Sequence, residues 1–158
     1  MKQKIYIETS VVSYLVARRS ENIVIAAHQA STLDFWGKIN DFDTYVSDIV
    51  IQEASKGDKT QAQRRSQVIE GFPVLRIDDE VKELARQFLN KQIIPQKCPE
   101  DALHIAVAVS NGMDLIVTWN FKHINNPFIK RRIRQVVEEN GWNCPEICSP
   151  EELLGNEI

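Results

Sequence analysis

Five short segments of the chain are rich in β-branched and other apolar residues and are bounded by turn formers, which predicts β-strands. These segments are Lys4–Glu8, Asp43–Ser47, Val74–Ile77, Asp114–Thr118 and Glu146–Cys148. Between them, apolar residues recur every three or four positions, as on one face of a helix. The predicted helices are Val11–Ala17, Ile23–Ile39, Asp48–Ser55, Asp58–Glu70, Asp79–Asn90, and two that start with proline, Pro99–Gly112 and Pro127–Gly141.

The alternation of strands and helices predicts an α/β fold with a parallel or mixed sheet that is covered on both faces. In such sheets ligands bind beyond the carboxyl ends of the strands, where the strand order reverses. The second helix is expected to bury a stripe formed by Ala26, Ala30, Leu33 and Trp36. No internal repeat, linker or low-complexity segment interrupts the pattern.

Length and composition fit one domain over residues 1–158, because 158 residues with 43% hydrophobic content can bury a single core. The chain has neither the apolar stretch of a signal peptide nor a run of membrane-spanning length. We therefore expect a soluble, cytoplasmic protein with no membrane association.

The three cysteines, Cys98, Cys144 and Cys148, show no Cys-x-x-Cys spacing and no histidine placed to complete a zinc site. We expect free, packed thiols.

The net charge of -3 gives no overall attraction to nucleic acid. The C-terminal third is nevertheless uneven, with five basic residues and no acid from Lys122 to Arg134, and six acids without Lys or Arg from Gln135 onward. This basic segment is either a local nucleic-acid contact or an ordinary solvated helix face.

Four polar residues occupy positions that suggest chemistry. Glu8 and Asn120 come at the carboxyl ends of two apolar strands, and Glu53 and Asp101 lie on apolar faces of predicted helices. If the three carboxylates converge, they repel by roughly 4 kcal/mol per pair at about 4 Å in an effective dielectric of about 20. A bound divalent cation removes that repulsion, so the set predicts a metal site.

Each residue also has a simpler explanation. Glu8 could be a solvated acid, although capping does not explain it, because Thr9 and Ser10 are better N-caps for a helix that begins at Val11. Glu53 could pair with Arg64 or Arg65.

Asp101 could complement the dipole of its helix, where a first-turn carboxylate contributes roughly 0.3–1 kcal/mol. His104, one turn further along, is expected to pack or to support a ligand rather than to be one. Asn120 alone is an ordinary turn residue.

Four segments in order, Ile5–Ser10, Ser47–Ala54, Asp101–Ala106 and Ile116–His123, resemble the successive motifs of PIN-domain proteins. The chain is most similar to the branch that contains the VapC-like ribonuclease toxins of type II toxin-antitoxin modules. This resemblance implies a three-layer α/β/α sandwich around a central, mainly parallel sheet of four to five strands. It also implies an acidic pocket that binds Mg²⁺ or Mn²⁺ and cleaves RNA, a cognate antitoxin protein as partner, and a homodimer.

By motif position, Glu8, Glu53, Asp101 and Asn120 stand at the metal-binding and catalytic positions. Glu8 replaces the usual aspartate and Asn120 replaces an acid that many members carry, so we expect one firmly held metal ion and a weaker second one. The expected substrate contacts are Thr9, Thr118, Lys122, His123, Arg131 and Arg134, the two threonines also steadying the carboxylates.

The alternative function is a catalytically weak or inactive PIN module that binds RNA or a protein partner. A third class, a receiver-type signalling domain or another phosphate enzyme, needs an aspartate nucleophile at a strand end, and this chain has Glu8 and Asn120 there.

Overall fold

The computed structural model describes residues 1–157 and contains five strands and seven α-helices. The strands are β1 Lys4–Ile7, β2 Asp43–Ser47, β3 Val74–Leu75, β4 Leu115–Val117 and β5 Glu146–Cys148. The helices are α1 Thr9–Val16, α2 Ile23–Trp36, α3 Asp48–Ala54, α4 Lys59–Ile69, α5 Asp79–Asn90, α6 Pro99–Ser110 and α7 Pro127–Glu139, with short 3-10 turns at Ile39–Asp41 and Glu152–Glu157. Within the described range, no helix combines the length and the apolar character needed to cross a membrane.

All strand pairs are parallel, in the order β3-β2-β1-β4-β5. The central strand β1 is fully buried from Ile5 to Ile7, and every residue of β4 is buried as well. Strands that are apolar on both sides must be covered on both faces. The predicted three-layer α/β/α sandwich is therefore confirmed, with a sheet that is parallel throughout.

The strand order reverses between β1 and β4. From β1 the chain adds β2 and β3 on one side and then places β4 and β5 on the other side. Parallel α/β sheets bind ligands at such a switch point, beyond the carboxyl ends of the strands. Glu8 and Thr118 directly follow the two strands that form it, and the Glu8 amide donates to the Val117 carbonyl at 3.1 Å.

Two predicted boundaries are wrong for identifiable reasons. Helix α1 begins at Thr9 instead of Val11, with Glu8 as its N-cap. Strand β3 ends at Leu75 instead of Ile77, because the Ile77 amide donates to the Asp48 side chain at 3.0 Å and so leaves the strand ladder.

The buried face of α2 also differs from the prediction. Leu33 was expected to face the core but is 59% exposed, whereas Gln29 and Thr32 are buried. These two polar side chains are satisfied: Gln29 bonds backbone groups of the α1–α2 loop, and Thr32 accepts a hydrogen bond from the Trp119 indole at 2.8 Å. A buried polar group with partners carries little cost, so α2 can turn its apolar stripe outward.

Candidate metal centre

Glu8 lies at the end of β1 and is only 5% exposed. One carboxylate oxygen accepts hydrogen bonds from the hydroxyls of Ser10 at 2.5 Å and Thr118 at 2.6 Å. The other accepts from the Ser10 amide at 3.2 Å. The prediction that capping does not explain Glu8 is wrong, because its hydrogen bond from the Ser10 amide caps α1. The Ser10 hydroxyl does not cap the helix but donates to the Glu8 carboxylate.

Glu53 reaches the same region from α3. Its Oε1 accepts a hydrogen bond from the Thr9 hydroxyl at 2.6 Å and lies 2.6 Å from Nε2 of His104. Arg65, one of the predicted partners, instead donates to the Ala54 and Lys56 carbonyls. In the described chain neither Arg64 nor Arg65 forms an ion pair with Glu53, so the arginine explanation is wrong.

His104 is completely buried between the two glutamates. Its Nδ1 lies 2.6 Å from the Tyr6 hydroxyl, which in turn contacts the Ser47 hydroxyl at 2.8 Å, and its Nε2 lies 3.8 Å from Glu8 Oε2. Burial disfavours the charged imidazole, but the hydrogen bond to Glu53 and the nearby carboxylates outweigh it and raise the pKa of His104. The raised pKa favours the protonated ring, so in the metal-free protein His104 acts as an internal cation for the acids.

The same interactions act on the partners of His104. Burial favours the neutral form of Glu53, yet its bonds to His104 and Thr9 lower the pKa of the carboxyl overall. Burial raises the pKa of Tyr6 well above its ordinary value, so the phenol stays neutral and anchors the imidazole. The relay Ser47–Tyr6–His104–Glu53 holds one carboxylate in a defined orientation.

Asp101 and Asn120 form an adjoining cluster with His123. The side-chain oxygen of Asn120 accepts a hydrogen bond from the backbone N–H of His123 at 3.0 Å. This orients the side-chain amino group of Asn120 toward Asp101 Oδ1, to which it donates at 3.2 Å. The other Asp101 oxygen lies 2.9 Å from His123 Nδ1. Asn120 thus meets the third acid as a hydrogen-bond donor, whereas the sequence predicts that it supplies an oxygen ligand.

Thr118 joins the two clusters. Its hydroxyl donates a hydrogen bond to Glu8 and accepts one from the backbone N–H of Asn120 at 2.9 Å. The charge of Asp101 also reaches the first cluster, because it contributes to the raised pKa of His104. The four predicted residues therefore gather at the β1–β4 switch point, in two linked groups. As predicted, Thr9 and Thr118 steady carboxylates, since their hydroxyls donate hydrogen bonds to Glu53 and Glu8. Neither hydroxyl has a second proton to donate to a substrate.

The predicted basic contacts are not equivalent. Lys122 is exposed in the turn next to Asn120, and Arg131 is exposed on α7. Arg134 forms ion pairs with Glu146 at 3.0 Å and Glu138 at 3.5 Å. Since Glu146 begins β5, this guanidinium lies at the amino end of the sheet, and the structure does not bring Arg134 to the site.

The donor set fits a divalent cation. Glu8, Glu53 and His104 offer ligand atoms that all lie within 4.8 Å of one another. Among residues 1–157, the only side chains that form ion pairs with Glu8, Glu53 or Asp101 are histidines. Carboxylate oxygens suit Mg²⁺ and Mn²⁺ alike, and the imidazole of His104 can add a nitrogen ligand only after it loses its proton. The direct contact of His104 with both glutamates was not predicted, although its position three residues after Asp101 on α6 is a usable signal.

A model of the PIN domain family matches residues 5–126 of the chain. No curated protein sequence matches it. Among solved structures, this chain is similar to a chain of VapBC2 from Rickettsia felis, which was crystallised with a DNA fragment from the promoter. The two chains share 15% sequence identity, the match covers 93% of this chain and 98% of that chain, and the TM-score is 0.55. At this identity the similarity describes the fold alone.

Proposed function

The chain belongs to the PIN domain family, whose members are generally nucleases, and we propose that it is a metal-dependent endoribonuclease that cleaves RNA phosphodiester bonds. The observation that carries this proposal is the proximity of Glu8 and Glu53, whose ligand atoms lie within 4.8 Å of one another and of His104, and their link through Thr118 and Asn120 to Asp101, without a Lys or Arg ion pair in the described chain. Such a concentration of negative charge suits a divalent cation and, through it, a phosphate group.

In this proposal Glu8, Glu53 and Asp101 hold Mg²⁺ or Mn²⁺, which when bound neutralises charge on the scissile phosphate and acidifies a water molecule. The chain's own residues provide orientation. Thr118 and Ser10 fix the Glu8 carboxylate, and the amino group of Asn120 steadies Asp101.

The exposed Lys122 is proposed to contact an RNA phosphate beside the cleaved bond, and Phe121, 46% exposed, could stack on a base. Arg131 lines a cavity together with Arg134 and Glu146, so any phosphate that it contacts lies farther along the RNA strand. Phosphate contacts position the strand and carry little sequence information, which would have to come from the base contact.

We further propose that the protein is the toxin of a toxin-antitoxin pair; the motifs that resemble those of VapC-like toxins and the fold shared with a chain of VapBC2 support this. The outward apolar face of α2 supports a protein partner: Ile23 is 85% exposed and Leu33 59%, and Ala30 between them is exposed as well. Exposed apolar clusters of this kind are typical of interaction sites. The antitoxin would cover this face, and the proposed homodimer would form elsewhere.

The partner proposal is tested by co-expression with the product of the adjacent reading frame. Leu33→Asp should abolish co-purification, whereas Ile51→Asp, which changes an exposed apolar residue on α3, should leave it intact. The mass of the free protein in solution tests the homodimer. Retained co-purification by Leu33→Asp would place the antitoxin on another surface.

The alternative is a PIN module that binds RNA or a protein without cleaving it. Asn120 supports it, because this position directs an amino group at Asp101 in place of a fourth anion. Incubation of the purified protein with RNA and Mg²⁺ or Mn²⁺, with and without EDTA, distinguishes the two: chelator-sensitive cleavage supports the nuclease, and binding without cleavage supports the module.

Metal binding also predicts a stability change that requires no substrate. Mn²⁺ or Mg²⁺ at about 100 times its Kd should stabilise the native state by about 2.7 kcal/mol, which corresponds to a rise in Tm of roughly 5–10 °C for a protein of this size. Glu53→Gln should lose most of this response. Glu100→Gln, which removes an exposed acid from α6, should retain it; absence of any response in the wild type would favour the alternative.

A further inference from the structure

A second group of metal-binding side chains lies beside the proposed catalytic site. Cys98, Asp101 and His123 offer a sulfur, an oxygen and a nitrogen that all lie within 4.8 Å of one another. In sequence these residues are too scattered to suggest a zinc motif, but the fold places a histidine, His123, close to Cys98. The fold brings the turn after β4 against the start of α6.

Cys98 packs half-buried against the hydrophobic core, but its thiol does not cap the helix that it precedes. Cys98 is the N-cap residue of α6, but its side chain makes no capping hydrogen bond. Ser, Thr, Asn and Asp are preferred at this position and contribute about 1 kcal/mol by capping. The chain therefore places a thiol, next to Asp101, where a hydroxyl or carboxylate would stabilise the helix better.

The other two cysteines differ. Burial raises the pKa of the Cys148 thiol to about 12 and also raises the pKa of Cys144. Neither belongs to a group of metal-capable side chains in residues 1–157. Cys144 is half-buried like Cys98, which makes it a matched control.

We propose that Cys98, Asp101 and His123 form a binding site for a thiophilic divalent cation of the Zn²⁺ class, adjacent to the proposed Mg²⁺ or Mn²⁺ site. Zn²⁺ binds thiolate at about 2.3 Å and imidazole or carboxylate at about 2.0–2.1 Å, so a tetrahedral ion holds its ligand atoms roughly 3.3–3.7 Å apart. The three ligand atoms lie within 4.8 Å of one another, and Asp101 and His123 already lie 2.9 Å apart, so side-chain movements alone can bring the atoms into that range. Three protein ligands leave a fourth position for water, and Mg²⁺ is excluded because it does not favour sulfur.

The two sites share Asp101. An ion bound to Cys98 and His123 would draw on the same carboxylate that the proposed nuclease uses, so Zn²⁺ should inhibit Mg²⁺-supported cleavage. This inhibitory consequence rests on the proposed function, whereas the binding site itself does not.

The binding test uses Co²⁺ as a spectroscopic substitute for Zn²⁺ on the full chain, kept reduced. Wild type and Cys144→Ser should develop a thiolate-to-cobalt charge-transfer absorption that Zn²⁺ displaces. Cys98→Ser should lose this absorption, and His123→Gln should weaken Co²⁺ affinity by roughly tenfold or more, as loss of a ligand implies. A wild type without the band, or a band that persists in Cys98→Ser, overturns the site.

The activity test compares each protein with itself in the absence of Zn²⁺. One equivalent of Zn²⁺ should slow Mg²⁺-supported RNA cleavage by wild type and Cys144→Ser, but not by Cys98→Ser. Cobalt binding together with uninhibited cleavage overturns the competition for Asp101. Cobalt binding in a protein that never cleaves RNA supports the site and rejects the proposed nuclease, so the two failures are distinguishable.

Discussion

The Asp101→Asn variant is expected to cleave RNA at least about 100-fold more slowly than the wild type, because loss of even an outer-shell partner of a metal ligand costs roughly 10–100-fold. The isosteric amide keeps the volume of the side chain and can still hydrogen-bond His123. It also removes one anion near Glu8 and Glu53, which relieves repulsion. The variant should therefore fold with unchanged or slightly higher stability.

Glu100→Gln provides the matched control. Glu100 is the preceding residue on the first turn of α6 and is exposed, so the variant removes the same charge from the same helix end without touching the site. It should cleave at nearly the wild-type rate. Wild-type cleavage by Asp101→Asn in Mg²⁺ or Mn²⁺ would reject the proposed role of Asp101, and comparison with Glu100→Gln separates this role from loss of helix-dipole complementation.

Elements whose cause is local were predictable from sequence. Helix α5 has the predicted bounds, Asp79–Asn90, because Asp78 caps its first turn through the Val81 amide at 3.0 Å and its apolar stripe faces the core. The continuously apolar residues of β1 and β4 likewise indicated strands buried on both faces. The motifs singled out Glu8, Glu53, Asp101 and Asn120 as candidates because strand ends and helix faces are visible in periodicity; their role stays a prediction.

Features that depend on partners distant in the chain were not predictable. The outward rotation of α2 depends on Thr32 meeting Trp119, which lies 87 positions further along. The role of His104 depends on Tyr6 and Glu53, and the closeness of Cys98 to His123 depends on two loops that only the folded sheet brings together. Spacing within one segment carries no information about such contacts.

His104→Ala is expected to destabilise the metal-free protein by about 3 kcal/mol, the cost of removing one partner from a buried ion pair. The change leaves Glu53 and Glu8 without their internal cation, removes a partner of Tyr6 and opens a cavity. For a protein of this size, Tm should fall by roughly 6–12 °C. Mg²⁺ or Mn²⁺ should recover more stability in the variant than in the wild type, because the ion then supplies the missing positive charge.

The effect of this substitution should depend on pH, as urea denaturation in EDTA can measure. The folded pKa of His104 is raised, so its contribution is complete below the unfolded value of 6.5 and is lost as pH rises through the folded value. The folded pKa of Glu53 is lowered, so its contribution is complete above 4.5 and is lost as pH falls through the folded value.

The difference in unfolding free energy between wild type and His104→Ala should therefore be larger at about pH 5.5 than at about pH 9. His28→Ala is the control, because it removes a half-buried imidazole that stacks on Trp119 and takes no part in the His104–Glu53 ion pair. An equal difference at both pH values would show that His104 stabilises the fold as a neutral ring, through packing and its hydrogen bonds to Tyr6 and Glu53. Glu8 and Glu53 would then depend on a metal ion for their neutralisation.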